Sequence, residues 1–148
     1  MNEFIKNANF HQDPAILHVG CEAPRAYFIP YHTEHAAMGG NRAESRFVKT
    51  LCGTWDFTFY PSLDAVPDFC AKGFAPHRVD KMPVPRSWQT LLGRGYDTPN
   101  YVNVVYPIPV DPPFVPDDTP CGLYHRTFRV HPDMLQKQVY LNFEGVYS

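Results

Sequence analysis

The sequence lacks any long apolar run. Nowhere do about 18 apolar residues follow one another, which is the length that a membrane-spanning helix needs. The first ten residues, which contain Lys6 and three asparagines, also have no apolar stretch of signal-peptide length. From these two absences we expect a protein made in the cytoplasm, with no secretion signal and no membrane partner.

An excess of charge of one sign is also missing. The 15 acidic residues nearly balance the 13 basic ones, and the net charge is -2. Surfaces that bind nucleic acid collect Lys and Arg into basic patches that neutralise phosphates. We therefore expect no nucleic-acid partner.

Cysteine and histidine are present, but not in metal-binding patterns. The cysteines form no C-x-x-C pair, which argues against a zinc ribbon or a thioredoxin-like motif; they are Cys21, Cys52, Cys70 and Cys121. We expect reduced thiols in the core. His32 and His35 could suggest a metal pair, but no Cys or Glu at a helical spacing completes a site. We expect surface or packing histidines, and no metal or other cofactor in this chain.

Proline is abundant, and this disfavours long helices. The 148 residues include 16 prolines and 9 glycines, which divide the chain into short pieces. A hydrophobic content of 44% is enough to bury a core. The composition therefore favours an all-β fold class.

Alternating side chains predict the strands. Trp55, Phe57 and Phe59 share one face of a predicted strand, which Pro61 ends. Three further strands are predicted, over 79–84, 123–130 and 139–146. The last two have one apolar and one polar face, which is typical of a β-sandwich with one side in water.

The remaining segments are predicted to be irregular. Residues 1–43 are interrupted by prolines and by Gly39-Gly40, and they indicate an extended N-terminal arm. Residues 62–69 indicate a connector, with a short helical turn at most. Seven prolines lie among the 22 residues from Pro99 to Pro120, interleaved with aromatic side chains, which indicates an ordered and rigid loop. We found no internal repeat.

Several uncommon blocks resemble, in order, those of the family 2 β-galactosidases. The opening block runs Glu44-Ser45-Arg46-Phe47 and then Leu51-Cys52-Gly53-Thr54-Trp55-Asp56-Phe57. The later blocks are Val84-Pro85-Arg86-Ser87-Trp88-Gln89, Gly95-Tyr96-Asp97 with Tyr101-Val102-Asn103-Val104, Asp111-Pro112-Pro113-Phe114-Val115-Pro116 with Gly122-Leu123-Tyr124, and Phe143-Glu144-Gly145-Val146. The resemblance covers the chain from about Glu44 onward and is weak before it.

The resemblance implies the fold and the activity of a longer parent enzyme. It implies that 44–148 are part of a jelly-roll β-sandwich of the galactose-binding-like kind, which continues beyond this C-terminus. A downstream barrel would carry the two glutamates that hydrolyse β-galactosides such as lactose by the retaining route. This chain alone would then be inactive. The family also implies magnesium and sodium ions in the full-length parent, and a homo-oligomer that the N-terminal arm helps to build.

The resemblance places one substrate-binding residue in this chain, Asn103, which would hydrogen-bond the galactosyl group. A carboxamide can donate to or accept from a sugar hydroxyl without adding charge near catalytic acids. The alternative is that Asn103 satisfies backbone groups in a turn. Trp88 and Tyr101 could stack on a sugar face, although core packing is favoured for Trp88.

Two further candidates are given structural interpretations. Trp55 is expected in the core because it lies on the alternating strand. The neighbouring carboxylates Asp117 and Asp118 are expected to be solvated loop charges, because adjacent residues of an extended chain point to opposite sides.

A second class of function stays open at this point, a free-standing carbohydrate-binding module that holds sugar without cutting it. Such a module would bind galactose as an isolated domain, whereas an enzyme fragment would bind negligibly. The last predicted strand ends close to Ser148 and would leave a sheet edge unpaired, and this favours the fragment.

Overall fold

The computed structural model describes residues 10–101, 103–104 and 109–146. These residues hold three β-strands, one six-residue α-helix and four turns of 3-10 helix, so the chain is mostly strand and loop with little helix. This agrees with the predicted all-β class. None of the described helices is long and apolar enough to span a membrane.

One sheet contains all three strands. They are β1 (Gly53–Tyr60), β2 (Asp80–Val84) and β3 (Cys121–His125), in the order β2-β1-β3. β1 and β3 are antiparallel, with Phe57 opposite Tyr124 and Phe59 opposite Gly122. Sequence-distant segments therefore meet on the two sides of β1.

The central position of β1 explains its burial. Phe57 is 1% exposed, and Trp55 and Phe59 are half-buried on the predicted aromatic face. On the opposite face the second half of the strand is buried as well: Thr58 donates to the carbonyl of Arg78 at 2.7 Å, and Tyr60 is 3% exposed. The strand predicted around Trp55–Phe59 is confirmed, and it ends immediately before Pro61 as expected.

The strand predicted over 79–84 is confirmed as β2. The connector predicted over 62–69 consists of bends and turns and contains no helix. The strand predicted over 123–130 begins two residues earlier and ends at His125. The pairing of β1 with β3 ends where Asp56 lies opposite His125. Arg126 instead directs its guanidinium to the carbonyl oxygens of Leu51 and Cys52, the latter at 2.8 Å.

The strand predicted over 139–146 is wrong. The segment has no strand conformation, and its apolar side chains are exposed, with Leu141 at 64% and Phe143 at 67%. A strand needs a neighbouring strand to satisfy its backbone N–H and C=O groups. No strand in the described part of the chain pairs with these residues.

The described residues fall into two compact units, 10–22 with 54–125 and 23–53 with 126–146. The first unit holds the whole sheet apart from Gly53. In the second, the Glu144 carboxylate accepts from Arg42 at 2.7 Å and from the hydroxyl of Tyr27 at 2.8 Å. The predicted boundary at residues 43 and 44 is not where these units divide, and it stays a prediction.

The second unit also holds α1 (Glu34–Gly39), which the sequence interpretation missed. Thr33 caps its first turn by accepting from the N–H of Ala36 at 3.2 Å. Gly40, at a φ of 66°, ends it in the left-handed conformation that favours glycine. The Gly39-Gly40 pair therefore terminates a helix rather than preventing one.

The prediction of core cysteines is wrong for three of the four. Cys21, Cys52 and Cys70 are exposed free thiols. Cys121 lies half-buried in β3, and burial raises its pKa. The exposed thiols follow from their positions in loops or at a strand margin, where no apolar layer covers them.

Candidate functional site

An aromatic cluster on one face of the sheet supports the candidate site. Phe57 of β1 packs with its ring centroid 5.8 Å from Trp88, 5.2 Å from Tyr96 and 4.8 Å from Tyr124. Phe59 lies 5.4 Å from Tyr96. Offset and edge-on contacts of this kind stabilise beyond the apolar area that they bury. The cluster fixes the 3-10 turn Trp88–Thr90 and the residues around Tyr96 on the sheet.

Gly122 gives Trp88 the space to lie over the sheet. A Cβ atom at this position of β3 would lie 2.7 Å from the ring of Phe57 and 2.7 Å from the ring of Trp88. Real Cβ atoms do not approach ring carbons this closely. A side chain at 122 would therefore displace Trp88.

Trp88 and Gln89 hold the carboxylate of Asp97. The indole N–H of Trp88 donates to one carboxylate oxygen, and the Gln89 side chain donates to the other at 3.3 Å. Gln89 is 8% exposed, and Trp88 and Asp97 are half-buried. Hydrogen bonds to a charged acceptor are stronger than those between neutral groups, so Asp97 is a firm anchor.

The preceding residue, Tyr96, is anchored separately. Its hydroxyl donates to Asp80 of β2 at 2.6 Å, and Arg78 pairs with the same carboxylate at 3.0 Å. Burial, followed by the bond to Asp80, raises the pKa of Tyr96 to about 12. The bond from Tyr96 and the charge of Arg78 lower the pKa of Asp80. Tyr96 thus ties this part of the chain to β2, at the edge of the sheet, and the adjacent Asp97 ties it to the 3-10 turn Trp88–Thr90.

Asn103 lies six residues after Asp97 on an exposed segment. Its side-chain Nδ2 donates to the hydroxyl of Tyr101 at 3.1 Å. Both side chains are exposed, Tyr101 by 75%. The pair therefore presents a carboxamide and an aromatic ring to solvent.

The other predicted residues take structural roles. Trp88 packs in the aromatic cluster, as favoured, and Trp55 lies half-buried with its ring 6.5 Å from Tyr124. His32 and His35 are exposed. So are Asp117 and Asp118, as expected for solvated loop charges. Among the residues that the structure describes, no three His, Cys, Asp or Glu side chains lie together as a metal site needs.

The sequence interpretation gave no role to Asp97 or Tyr96. Both stand in the Gly95-Tyr96-Asp97 block, and their position beside the proline-rich segment was the available clue. Their partners lie up to 16 residues away in the chain, and nothing in the local pattern identifies them.

Comparison with known proteins relates the chain to β-galactosidases. The chain is 42% identical over 140 residues to a β-galactosidase of Actinobacillus pleuropneumoniae, which covers 95% of this chain and 13% of that protein. It is 38% identical over 138 residues to a β-galactosidase of Erwinia tasmaniensis, covering 93% and 13%. A β-galactosidase of Staphylococcus xylosus is 36% identical over 140 residues, covering 94% and 13%. The chain thus spans about 13% of the length of these curated relatives.

A family model extends the agreement to the described site. The model for the sugar binding domain of the family 2 glycosyl hydrolases matches residues 48–148. This range includes the complete sheet, the anchors at Tyr96 and Asp97, and Asn103. The chain therefore belongs to the family of sugar-binding domains of the family 2 glycosyl hydrolases.

Proposed function

We propose that this chain is the sugar-binding part of a longer β-galactosidase, to which it supplies Asn103 as a galactose contact. Its similarity to β-galactosidases, over about 13% of their length, supports this proposal. The two glutamates of a retaining mechanism would lie in the remainder of the protein. The chain would then bind and orient the sugar while other residues cleave the bond.

The exposed amide of Asn103 is the observation that carries the proposal. One N–H is donated to Tyr101, and no other described residue bonds the amide, so the second N–H and the carbonyl oxygen can serve sugar hydroxyls. Tyr96 and Asp97, seven and six residues before Asn103, are hydrogen-bonded to β2 and to the 3-10 turn. The segment that leads to the amide is therefore anchored at its start. Anchoring reduces the entropy that is lost when a ligand binds.

Finer features of the full-length protein belong to the same proposal. They are a jelly-roll sandwich completed by further strands, activity on lactose, magnesium and sodium ions, assembly into a homo-oligomer and a cytoplasmic location. The described residues bring no candidate metal ligands together in a group of three or more.

Asn103→Ala in the full-length protein tests the role of the amide. Loss of hydrogen bonds to a sugar hydroxyl should cost about 1–3 kcal/mol in the transition state, which lowers kcat/KM by about 5- to 150-fold. The assay uses both lactose and a nitrophenyl galactoside. Asn100→Ala, at an exposed amide on the same segment, is the matched control. Unchanged kcat/KM for both substrates in Asn103→Ala would reject the assignment.

Calorimetry of residues 1–148 with galactose tests the alternative, a free-standing module. The proposal expects negligible binding by this chain, because most sugar contacts would come from the rest of the protein. Saturable binding that Asn103→Ala abolishes would instead support a self-sufficient module.

A further inference from the structure

We propose that Tyr101 is a positioning residue, whose hydroxyl holds the carboxamide of Asn103 so that its oxygen accepts a hydrogen bond from a galactosyl hydroxyl. This inference rests on the proposed function, and it adds which atom of Asn103 meets the sugar. It starts from the 3.1 Å bond between Asn103 Nδ2 and the Tyr101 hydroxyl oxygen.

The chemistry of the amide connects this bond to substrate selection. A carboxamide has a donor corner, the NH₂ group, and an acceptor corner, the oxygen. The bond to Tyr101 uses one N–H of the donor corner and turns the NH₂ group toward Tyr101, and no described residue donates to Asn103 Oδ1. With its NH₂ group turned toward Tyr101, the amide offers its oxygen, the acceptor corner, to the sugar. It selects a sugar hydroxyl that donates its proton.

Orientation of the amide matters because Asn103 is exposed. An exposed asparagine samples several rotamers and both orientations of its amide, and binding must select one of them. Tyr101 restricts this choice before the sugar arrives, which lowers the entropic cost of binding. Its own backbone follows the residues anchored by Asp97 and Tyr96, four and five positions earlier.

A direct contact between the Tyr101 ring and the sugar is the competing role for this residue. The ring is 75% exposed and could stack on a sugar face. Tyr101→Phe separates the two roles, since it keeps the ring and removes only the hydroxyl. An effect of Tyr101→Phe that requires Asn103 identifies positioning.

A double-mutant cycle in the full-length protein performs this separation. We expect Tyr101→Phe to lower kcat/KM by about 3- to 10-fold, the effect of one hydrogen bond. In the Asn103→Ala background the same change should have no effect, because there is no amide left to orient. Tyr140→Phe, which also loses a phenol hydrogen bond at an exposed site, is the control.

Each outcome of the cycle has one meaning. If Asn103→Ala itself changes nothing, the proposed function fails. If Asn103→Ala lowers kcat/KM but Tyr101→Phe does not, only the positioning role fails. Equal effects of Tyr101→Phe in both backgrounds would also overturn it, because Tyr101 would then act independently of Asn103.

Ligand analogues test which atom of the amide meets the sugar. The probes are thiogalactosides in which each hydroxyl in turn is removed or replaced by fluorine, which can accept but not donate. The hydroxyl that contacts Asn103 is the one whose removal weakens inhibition of the unmodified enzyme but not of Asn103→Ala. At that position, replacing the hydroxyl by fluorine should weaken inhibition as much as removing it does. Tyr101→Phe should partly restore binding of that fluorinated analogue, because the freed amide can turn its N–H toward fluorine. Full binding of the fluorinated analogue by the unmodified protein would show a donating amide and overturn the inference.

Discussion

The indole N–H of Trp88 and the carboxylate of Asp97 form a hydrogen bond that links the aromatic cluster to the exposed segment carrying Asn103. The Trp88 ring packs on Phe57 and Phe59 of the central strand. Its N–H, at the polar edge of the ring, holds the chain six residues before Asn103. The Trp88 side chain thus packs in the aromatic cluster and also anchors the segment that leads to Asn103.

Asp97→Ala should destabilise the protein by about 1–3 kcal/mol, because it leaves the half-buried N–H of Trp88 and the side chain of the buried Gln89 without their carboxylate. Urea denaturation, followed by the fluorescence of the two tryptophans, measures the loss. In the full-length protein the same change should lower galactoside affinity, since the segment leading to Asn103 loses an anchor. Asp118→Ala, at an exposed loop carboxylate, should change neither quantity.

Gly122→Ala should destabilise the protein by about 1–3 kcal/mol through overpacking. The added methyl group would meet two aromatic rings, Phe57 and Trp88, neither of which is a flexible chain end. Thermal or urea denaturation measures the change. Gly145→Ala is the matched control, because its Cβ would meet no atom within 4 Å. Equal stabilities of the two variants would contradict the packing described at β3.

The stability of the protein should fall between pH 10.0 and about 12 partly through Tyr96. Burial and the bond to Asp80 raise the pKa of Tyr96 from 10.0 to about 12 in the folded protein. The folded state therefore keeps the phenol proton in this interval, whereas the unfolded chain loses it. The contribution of Tyr96 is complete below pH 10.0 and is lost as the pH rises through the folded pKa.

Comparison with Tyr96→Phe isolates this contribution from the other groups that titrate at high pH. The unmodified protein should be the more stable of the two below pH 10.0, and the difference should narrow toward pH 12. Denaturant midpoints at several pH values measure it. If the difference in denaturant midpoint between Tyr96→Phe and the unmodified protein stayed constant from pH 10.0 to pH 12, ionisation of Tyr96 would not be linked to stability.

The sequence predicted the strands best where prolines and alternating side chains agreed. Around Trp55 and Phe59 the alternation and Pro61 together located β1, and prolines located β2. The alternation over 139–146 was as regular, yet no strand forms there. Alternation reports only which side chains could share a face, whereas a strand also needs a hydrogen-bonded neighbour.

The candidate site was predictable only in part. The resemblance singled out Asn103, whose role stays a proposal, and the residue type of Tyr101 suggested no function beyond stacking. The importance of Gly122 was hidden as well, because a glycine in a strand pattern does not show which ring will lie above it. That depends on the pairing of β3 with β1 and on the packing of Trp88.

The sequence by itself determined the short elements, the exclusion of long helices and the family resemblance, because these depend on residue type and on spacing along the chain. Only the tertiary structure decided that Asp97 binds Trp88, that Tyr96 binds Asp80, and that Gly122 lies under two rings. These contacts join residues 9 to 65 positions apart, and their geometry exists only once β1 has both of its neighbours. Local patterns specify which side chains are available, and strand pairing specifies which of them meet.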